Sequence, residues 1–301
     1  MRIVVLSGGV GGARMARGFA GLADAELTVL VNVGDDADNH GLRISPDLDT
    51  VVYTLAGVEG PHGWGRASDT FSLNEELARF GMDNTFQLGD RDLALKLFRT
   101  HAMANGSKLS EVTALVAESF GIGAEILPVT DDRLRTMIEI ADGWVTFQDY
   151  FVARRFEDEV LAVSYEGADT ARPVPGALAA IGQADLVVIA PSNPPLSVWP
   201  MTAIHEIREA LAHHPKVTAV SPLIGGATVK GPADRVMASL GLPKGNVGVA
   251  EAYAGLIDRL VIDVTDGDDA SSIDDIEVMA TDILIKEPDA AVRLARELIG
   301  Q

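Results

Sequence analysis

The chain has 301 residues, 47% of them hydrophobic, and a formal net charge of −20. That apolar content is enough for a substantial core, whereas the charge argues against nucleic acid or an anionic membrane surface as partner. The lack of cysteine excludes disulfides, thiolate metal sites and a cysteine nucleophile.

The apolar run at residues 3–6 reads as a buried parallel strand. It meets a glycine-rich elbow, Gly8, Gly9, Gly11 and Gly12, and then the alanines and long side chains of a helix. Glycines at a helix N-terminus allow positive φ and expose bare amides that favour anions, so the elbow is a candidate cradle for a phosphate or diphosphate. A tight strand–helix turn without a ligand is the competing reading. Arg14 stands where a dinucleotide fingerprint needs its third glycine, and no Gly-Lys-Ser/Thr follows to make a P-loop.

A second strand spans 26–33 and ends in Gly34-Asp35-Asp36-Ala37-Asp38. Helices are expected over 50–56, 74–80, 92–104 and 110–120, the last two closed by Asn105-Gly106 and Gly121. The period then changes. Residues 136–140 and 144–148 flank Asp142-Gly143 as a hairpin, which makes about 125–165 an antiparallel excursion. Strands at 186–190, 217–220, 260–264 and 277–280 alternate with helices at 202–213, 233–240 and 289–299. This pattern implies one α/β domain over 1–301, Rossmann-like and doubly wound. Its sheet is mainly parallel, with a small antiparallel insertion at about 125–165. No stretch has the apolar length of a membrane span, and the first strand reaches glycine too early for a signal peptide. A soluble, cytoplasmic protein is expected.

Ligands of open α/β sheets bind beyond the carboxyl ends of the strands. Four such ends carry unusual residues: the glycine elbow, residues 32–38, Pro191-Ser192-Asn193-Pro194 and residues 221–226. Together they describe a nucleotide site more than a site for an apolar ligand. Asp35, Asp36, Asp38, Asp47 and Asp49 would repel phosphates unless a divalent cation lies between, and Mg²⁺ is held in that way by one or two carboxylates plus phosphates. Asp35, Asp36 and Asp49 are the candidate metal or substrate contacts. The alternatives are that Asp49 caps its helix, that Asp36 or Asp38 is a solvated loop acid, and that an acid after the second strand binds a ribose hydroxyl. Arg91 opposes the dipole of the helix it begins, so an anionic or carbonyl partner is expected for it. None of the six histidines is assigned a catalytic role.

Gly8-Gly9-Val10-Gly11-Gly12, Asn32-Val-Gly-Asp35-Asp36, Pro46-Asp47-Leu48-Asp49-Thr50, Gly89-Asp90-Arg91-Asp92, Phe147-Gln148-Asp149, Pro191-Ser192-Asn193-Pro194 and Gly231-Pro232-Ala233 occur in that order. Together they resemble the 2-phospho-L-lactate transferase family of coenzyme F-420 biosynthesis. One departure is Ser45, where family members often have cysteine. The resemblance implies a donor in which guanosine diphosphate carries a three-carbon acid, lactyl or enolpyruvyl. It implies transfer of the phospho-acid to the ribityl 5′-hydroxyl of a deazaflavin, 7,8-didemethyl-8-hydroxy-5-deazariboflavin, with release of GMP and a requirement for Mg²⁺. Asp49 and Arg91 would then be catalytic, contacting the deazaflavin or ordering its hydroxyl near the metal. Ser192, Asn193 and the elbow glycines would hold the nucleotide. A homodimer is also expected.

Two rivals share parts of this pattern. A nucleotide-sugar-binding regulator of carbon metabolism would keep the glycine elbow but not both the Pro-Asp-Leu-Asp-Thr and Gly-Asp-Arg-Asp elements. A nicotinamide-dependent oxidoreductase is opposed by the missing third glycine and the acid cluster.

Overall fold

The computed structural model describes residues 1–82 and 86–301. β1 (Arg2–Ser7) is buried from Ile3 onward and passes through Gly8 into α1 (Gly9–Ala20). β2 (Glu26–Val31) follows, then β3 (Ala37–Asn39) and β4 (Leu42–Ile44), which pair antiparallel. α2 (Pro46–Leu55), α3 (Ser72–Arg79), α4 (Asp90–Ala104) and α5 (Leu109–Ser119) lead to β5 (Glu125–Pro128). β6 (Arg135–Ile140), β7 (Gly143–Thr146) and β8 (Ala162–Glu166) form a separate antiparallel sheet. β9 (Leu186–Ile189) and β10 (Val217–Val220) resume the parallel pattern, and β11 (Leu223–Ile224) and β12 (Ala227–Thr228) make a small ribbon. β13 (Arg259–Asp263), β14 (Glu277–Thr281) and a terminal helix, Pro288–Leu298, complete the chain.

Seven strands make the central sheet in the order β14-β13-β10-β9-β1-β2-β5, and each neighbouring pair is parallel. β1, β9 and β10 carry apolar side chains on both faces because helices cover both, which is why these runs show no alternation. From β1 the chain first winds outward to β2 and β5, then returns to β9 and winds the other way. The order therefore reverses between β1 and β9, and this switch point is where such sheets open a crevice.

The α/β doubly wound fold is the one the sequence implies, with local differences. Residues 125–128, expected within the antiparallel excursion, pair parallel with β2 as the sheet edge. The antiparallel part is β6 to β8, packed through Ile138, Ile140, Tyr150 and Val160 against Leu196 and Val236 of the main body. α2 starts at Pro46 rather than at residue 50, because proline at the first helical position already has the right φ and lacks only an amide the helix does not use. The helix expected over 202–213 is broken into Trp199–Thr202 and His205–Ala212. Among the described residues, no helix is long and apolar enough to cross a membrane.

Candidate active site

The glycine elbow lies at the switch point, beside the chain that leaves β9. Gly9 adopts φ +66° with open space where a side chain would start. Gly11 differs, because a Cβ there would overlap the Pro191 carbonyl oxygen. Ser192 Oγ donates to the Gly8 carbonyl at 2.7 Å, and Asn193 Oδ1 accepts the Leu196 amide at 3.2 Å to cap the turn Pro194–Val198. The structure thus brings Gly8, Gly9, Gly11, Gly12, Ser192 and Asn193 together, but it also uses them on one another. The Gly9 amide donates to Asp47 Oδ1 at 2.6 Å, so a carboxylate already engages the start of α1.

That carboxylate belongs to a buried bank of acids. Asp35 and Asp36 follow β2, while Asp47 and Asp49 lie in the first turn of α2, and all four are buried. Asn32 organises the corner, donating from Nδ2 to Asp47 Oδ2 at 3.0 Å and accepting the Gly34 amide at 2.8 Å. Burial, and then the charges of Asp47 and Asp36, hold the Asp35 carboxyl well above the usual range. Burial pushes Asp36 up to about 7, although Arg43 at 3.3 Å and the Ser45 hydroxyl at 2.8 Å pull the other way. Asp47 is pushed up to about 6 by burial, against its bonds from Asn32 and Gly9. Oδ1 of Asp35 and Oδ1 of Asp36 are buried without a hydrogen-bond partner. Buried acceptors without donors, on carboxyls pushed toward protonation, are the environment a cation would relieve. Among the described residues, no three His, Asp or Glu side chains form a ready-made metal cage. Mg²⁺ does not need one, since water and substrate phosphates supply much of its coordination.

Asp49 stands in a different field. Arg99 grips it through both guanidinium nitrogens, and Lys96 Nζ lies 2.8 Å from its Oδ2. Burial alone would raise its pKa, but Arg99 and Lys96 override that and lower it. Lys96 also pairs with Asp92, which accepts from the Tyr53 hydroxyl at 2.7 Å. A buried chain of charges therefore runs from Tyr53 through Asp92, Lys96, Asp49 and Arg99. Sequence reasoning missed Asn32, Tyr53, Lys96 and Arg99. A signal was present for two of them: Asp92, Lys96 and Arg99 fall at i, i+4 and i+7, one face of α4, and that face is buried.

Arg91 is exposed, pairs with no acid among the described residues and lies outside the cleft lining. The flanking acids set the local structure instead. Asp90 accepts the Ser72 and Leu73 amides at 3.2 and 3.0 Å, and Asp69 accepts those of Arg91 and Asp92 at 2.8 and 3.1 Å. Each acid caps the helix that the other precedes.

These elements surround a cleft of about 1000 Å³. Its lining includes Asp35, Asp47 and Asp49, the elbow, and the cations Arg14, Arg66 and Lys230. None of these three cations pairs with a carboxylate among the described residues. Arg14 donates to the Ile285 carbonyl at 3.1 Å, Lys230 to the His62 carbonyl at 2.6 Å, and Arg66 lies over the Phe120 ring at 5.2 Å. Trp64, Phe71, Phe147 and Phe151 add aromatic surface, the last two stacked at 5.3 Å. Gln148 ties that aromatic segment to the acids, donating to the Asp35 carbonyl at 2.8 Å.

The model of a family described as 2-phospho-L-lactate transferase CofD matches residues 3–292. The phosphoenolpyruvate transferase of Streptomyces coelicolor is 42% identical over 310 residues, spanning 99% of this chain and 97% of that protein. The 2-phospho-L-lactate transferase of Methanocaldococcus jannaschii is 40% identical over 303 residues, with the same coverage of 99% and 97%. Among solved structures, a UPF0052-family protein from Bacillus halodurans superposes with a TM-score of 0.68 over 99% of this chain and 100% of its own. At 16% identity that likeness shows the fold alone.

Proposed function

This chain belongs to the 2-phospho-L-lactate transferase family, and on that premise we propose a specific transfer in coenzyme F-420 biosynthesis. The donor is a lactyl or enolpyruvyl acid carried on the terminal phosphate of guanosine diphosphate. The acceptor is the ribityl 5′-hydroxyl of 7,8-didemethyl-8-hydroxy-5-deazariboflavin. The hydroxyl oxygen forms a bond to the terminal phosphorus, the bond from that phosphorus to the bridging oxygen breaks, and GMP leaves with the electron pair. The hydroxyl proton passes to a carboxylate.

One observation carries the reading: Asp35, with an unsatisfied buried oxygen, lines one cleft at the sheet's switch point together with Asp47, Asp49 and cations that pair with no carboxylate among the described residues. Phosphoryl transfer asks mainly for positioning and charge neutralisation, and this cleft has both signs of charge for it. Arg14 and Lys230 would attract the donor's phosphates and acid group beside the start of α1. Trp64, Phe71 and Phe147 suit the flat deazaflavin ring. Asp35 and Asp36 would hold Mg²⁺, which when bound would offset negative charge on the transferring phosphate. Asp49 is proposed to act at the metal and the acceptor hydroxyl. Its double ion pair keeps it ionised but weakens it as a base, so Asp47, pushed up to about 6, is the better matched proton acceptor near neutral pH. Ser192 and Asn193 are proposed to reach the nucleotide with the polar atoms that the elbow leaves free, and Arg91 to contact the deazaflavin.

Mass analysis of products tests this directly. The purified protein, with Mg²⁺, deazaflavin and each donor in turn, should give the deazaflavin phosphodiester and one GMP per product. Nucleotide binding without product from either donor would favour the non-catalytic regulator.

A further inference from the structure

The connection between α2 and α3 begins with a small hairpin. Glu59 and Arg66 form an antiparallel bridge, the Gly60 amide donates to the Gly65 carbonyl at 2.9 Å, and the Ala67 amide donates to the Val58 carbonyl at 2.9 Å. Gly60 has no room for a side chain, since a Cβ there would overlap the Trp64 carbonyl oxygen. Arg17 donates to one Glu59 oxygen at 2.8 Å and the Thr54 hydroxyl to the other at 2.7 Å, which anchors the hairpin base. Both Glu59 oxygens are therefore engaged elsewhere. Arg66, the cross-strand neighbour of Glu59, pairs with no acid among the described residues. Its guanidinium lies over two rings instead, 5.7 Å from Tyr53 and 5.2 Å from Phe120. Arg66 is half-buried in the cleft lining, and its Nε is buried without an acceptor. A guanidinium partly desolvated by rings and short of acceptors is a costly arrangement that an anionic ligand relieves.

Arg66 also stands apart from the cations beside the elbow. Burial, and then the Arg14 charge, lower the pKa of Lys230, so those two cations lie together. Arg66 instead shares the Tyr53 ring with Lys96, which lies 5.7 Å from it. From Tyr53 the buried chain of charges runs through Asp92 and Lys96 to Asp49, at the end of the cleft assigned to the acceptor hydroxyl.

Taking the deazaflavin as acceptor, we propose that Arg66 is a specificity-determining residue that binds the acceptor ring as its anion. Loss of the 8-hydroxyl proton leaves a charge shared between the 8-oxygen and the pyrimidinedione. That hydroxyl is therefore far more acidic than the phenol of tyrosine, at about 10. A flat, delocalised anion suits a guanidinium that is always charged, weakly hydrated and already held on ring faces. A flavin with a methyl group at position 8 has no such proton to lose, so the same contact would discriminate against it. The acids Asp35, Asp47 and Asp49 in the cleft lining bear the opposite sign, and without Arg66 they would favour the neutral ring. Around Arg66, Glu59 faces it on the hairpin, Tyr53 of α2 brings Lys96 and Asp92 of α4, and Phe120 brings no charge. All of these groups remain when Arg66 alone is replaced.

Absorbance titration of the bound deazaflavin tests this, because the ring anion absorbs at longer wavelength than the neutral ring. With saturating protein and no donor, the 8-hydroxyl should ionise about one pH unit lower in the wild-type complex than in the free ligand, a tenfold preference for the anion. Arg66→Met should abolish or reverse that shift while leaving the binding of riboflavin, which carries the 8-methyl group, unchanged. Arg66→Lys should keep part of the shift. Should Arg66→Met unfold, Arg66→Gln, which removes the charge but keeps a planar polar end, takes its place. A shift of equal size with and without Arg66 overturns the proposal. So does weaker GDP binding in Arg66→Met with an unchanged deazaflavin titration, which would put Arg66 on the donor. A wild type that binds no deazaflavin refutes the acceptor itself, and this inference with it.

Discussion

Replacing Asp49 by Asn keeps its shape and removes its charge, and the structure sets the size of the effect. Asp49 is 3% exposed, and both its oxygens are bonded to Arg99 and Lys96, which are buried as deeply. After the substitution Lys96 still has Asp92, but Arg99 loses its bidentate partner. Stranding a buried charge in this way costs about 3–5 kcal/mol. Against the about 5–15 kcal/mol that holds a typical domain, the loss is about a fifth or more. At about 2–3 °C per kcal/mol for a chain of this size, the melting temperature should fall by roughly 6–15 °C. Adding Arg99→Met removes the stranded cation and should recover about half of the loss or more. Guanidinium unfolding measures both variants, and turnover is then normalised to the folded fraction. In the recovered double variant, a fall of about a hundredfold would mark a role for Asp49 at the acceptor hydroxyl. A loss below about 1 kcal/mol in Asp49→Asn would refute the claim that Asp49 neutralises Arg99. A double variant no more stable than the single one would show that the stranded charge is not the cause.

Three further outcomes follow from the same geometry. Gly11→Ala should destabilise the fold even without ligand, since its Cβ would meet the Pro191 carbonyl, and an unchanged melting curve would show that the elbow and the β9 loop are not in contact. Asp36 and Asp47, at about 7 and about 6 against 3.8 in the unfolded chain, hold protons in the native state that unfolding releases. Stability should therefore fall as pH rises from about 4 to about 7, and Asp36→Asn should flatten that slope, whereas parallel wild-type and variant curves would count against the burial of Asp36. Arg91→Ala should melt like the wild type because the side chain is exposed, yet turn over slowly, with Arg91→Lys failing to rescue it; full turnover by Arg91→Ala would remove Arg91 from the site.

Much of the frame was legible locally. Apolar runs such as 3–6 and 186–190 lack alternation, and that is enough to place them in a sheet covered on both faces. The same local logic located the elbow and the acids after β2, because glycines and aspartates at strand ends have few structural uses. β5 escaped notice for a physical reason. Four residues, Glu125-Ile-Leu-Pro128, are too few to show a period, and a terminal proline reads as a loop.

The chemistry of the acids was a different matter. Asp47 and Asp49 sit two apart in one helical turn and look equivalent in sequence, yet one carboxyl is pushed up and the other down. Arg99 is 50 positions from Asp49, and Asn32 reaches Asp47 from the end of β2. The sequence by itself determined which residue types gather at the mouth of the sheet, since strand ends and turns are specified by neighbours along the chain. Only the tertiary structure decided which acid is neutralised by cations and which is left short of partners. Burial and Coulomb energy depend on distance in space, and no spacing along the chain encodes that distance.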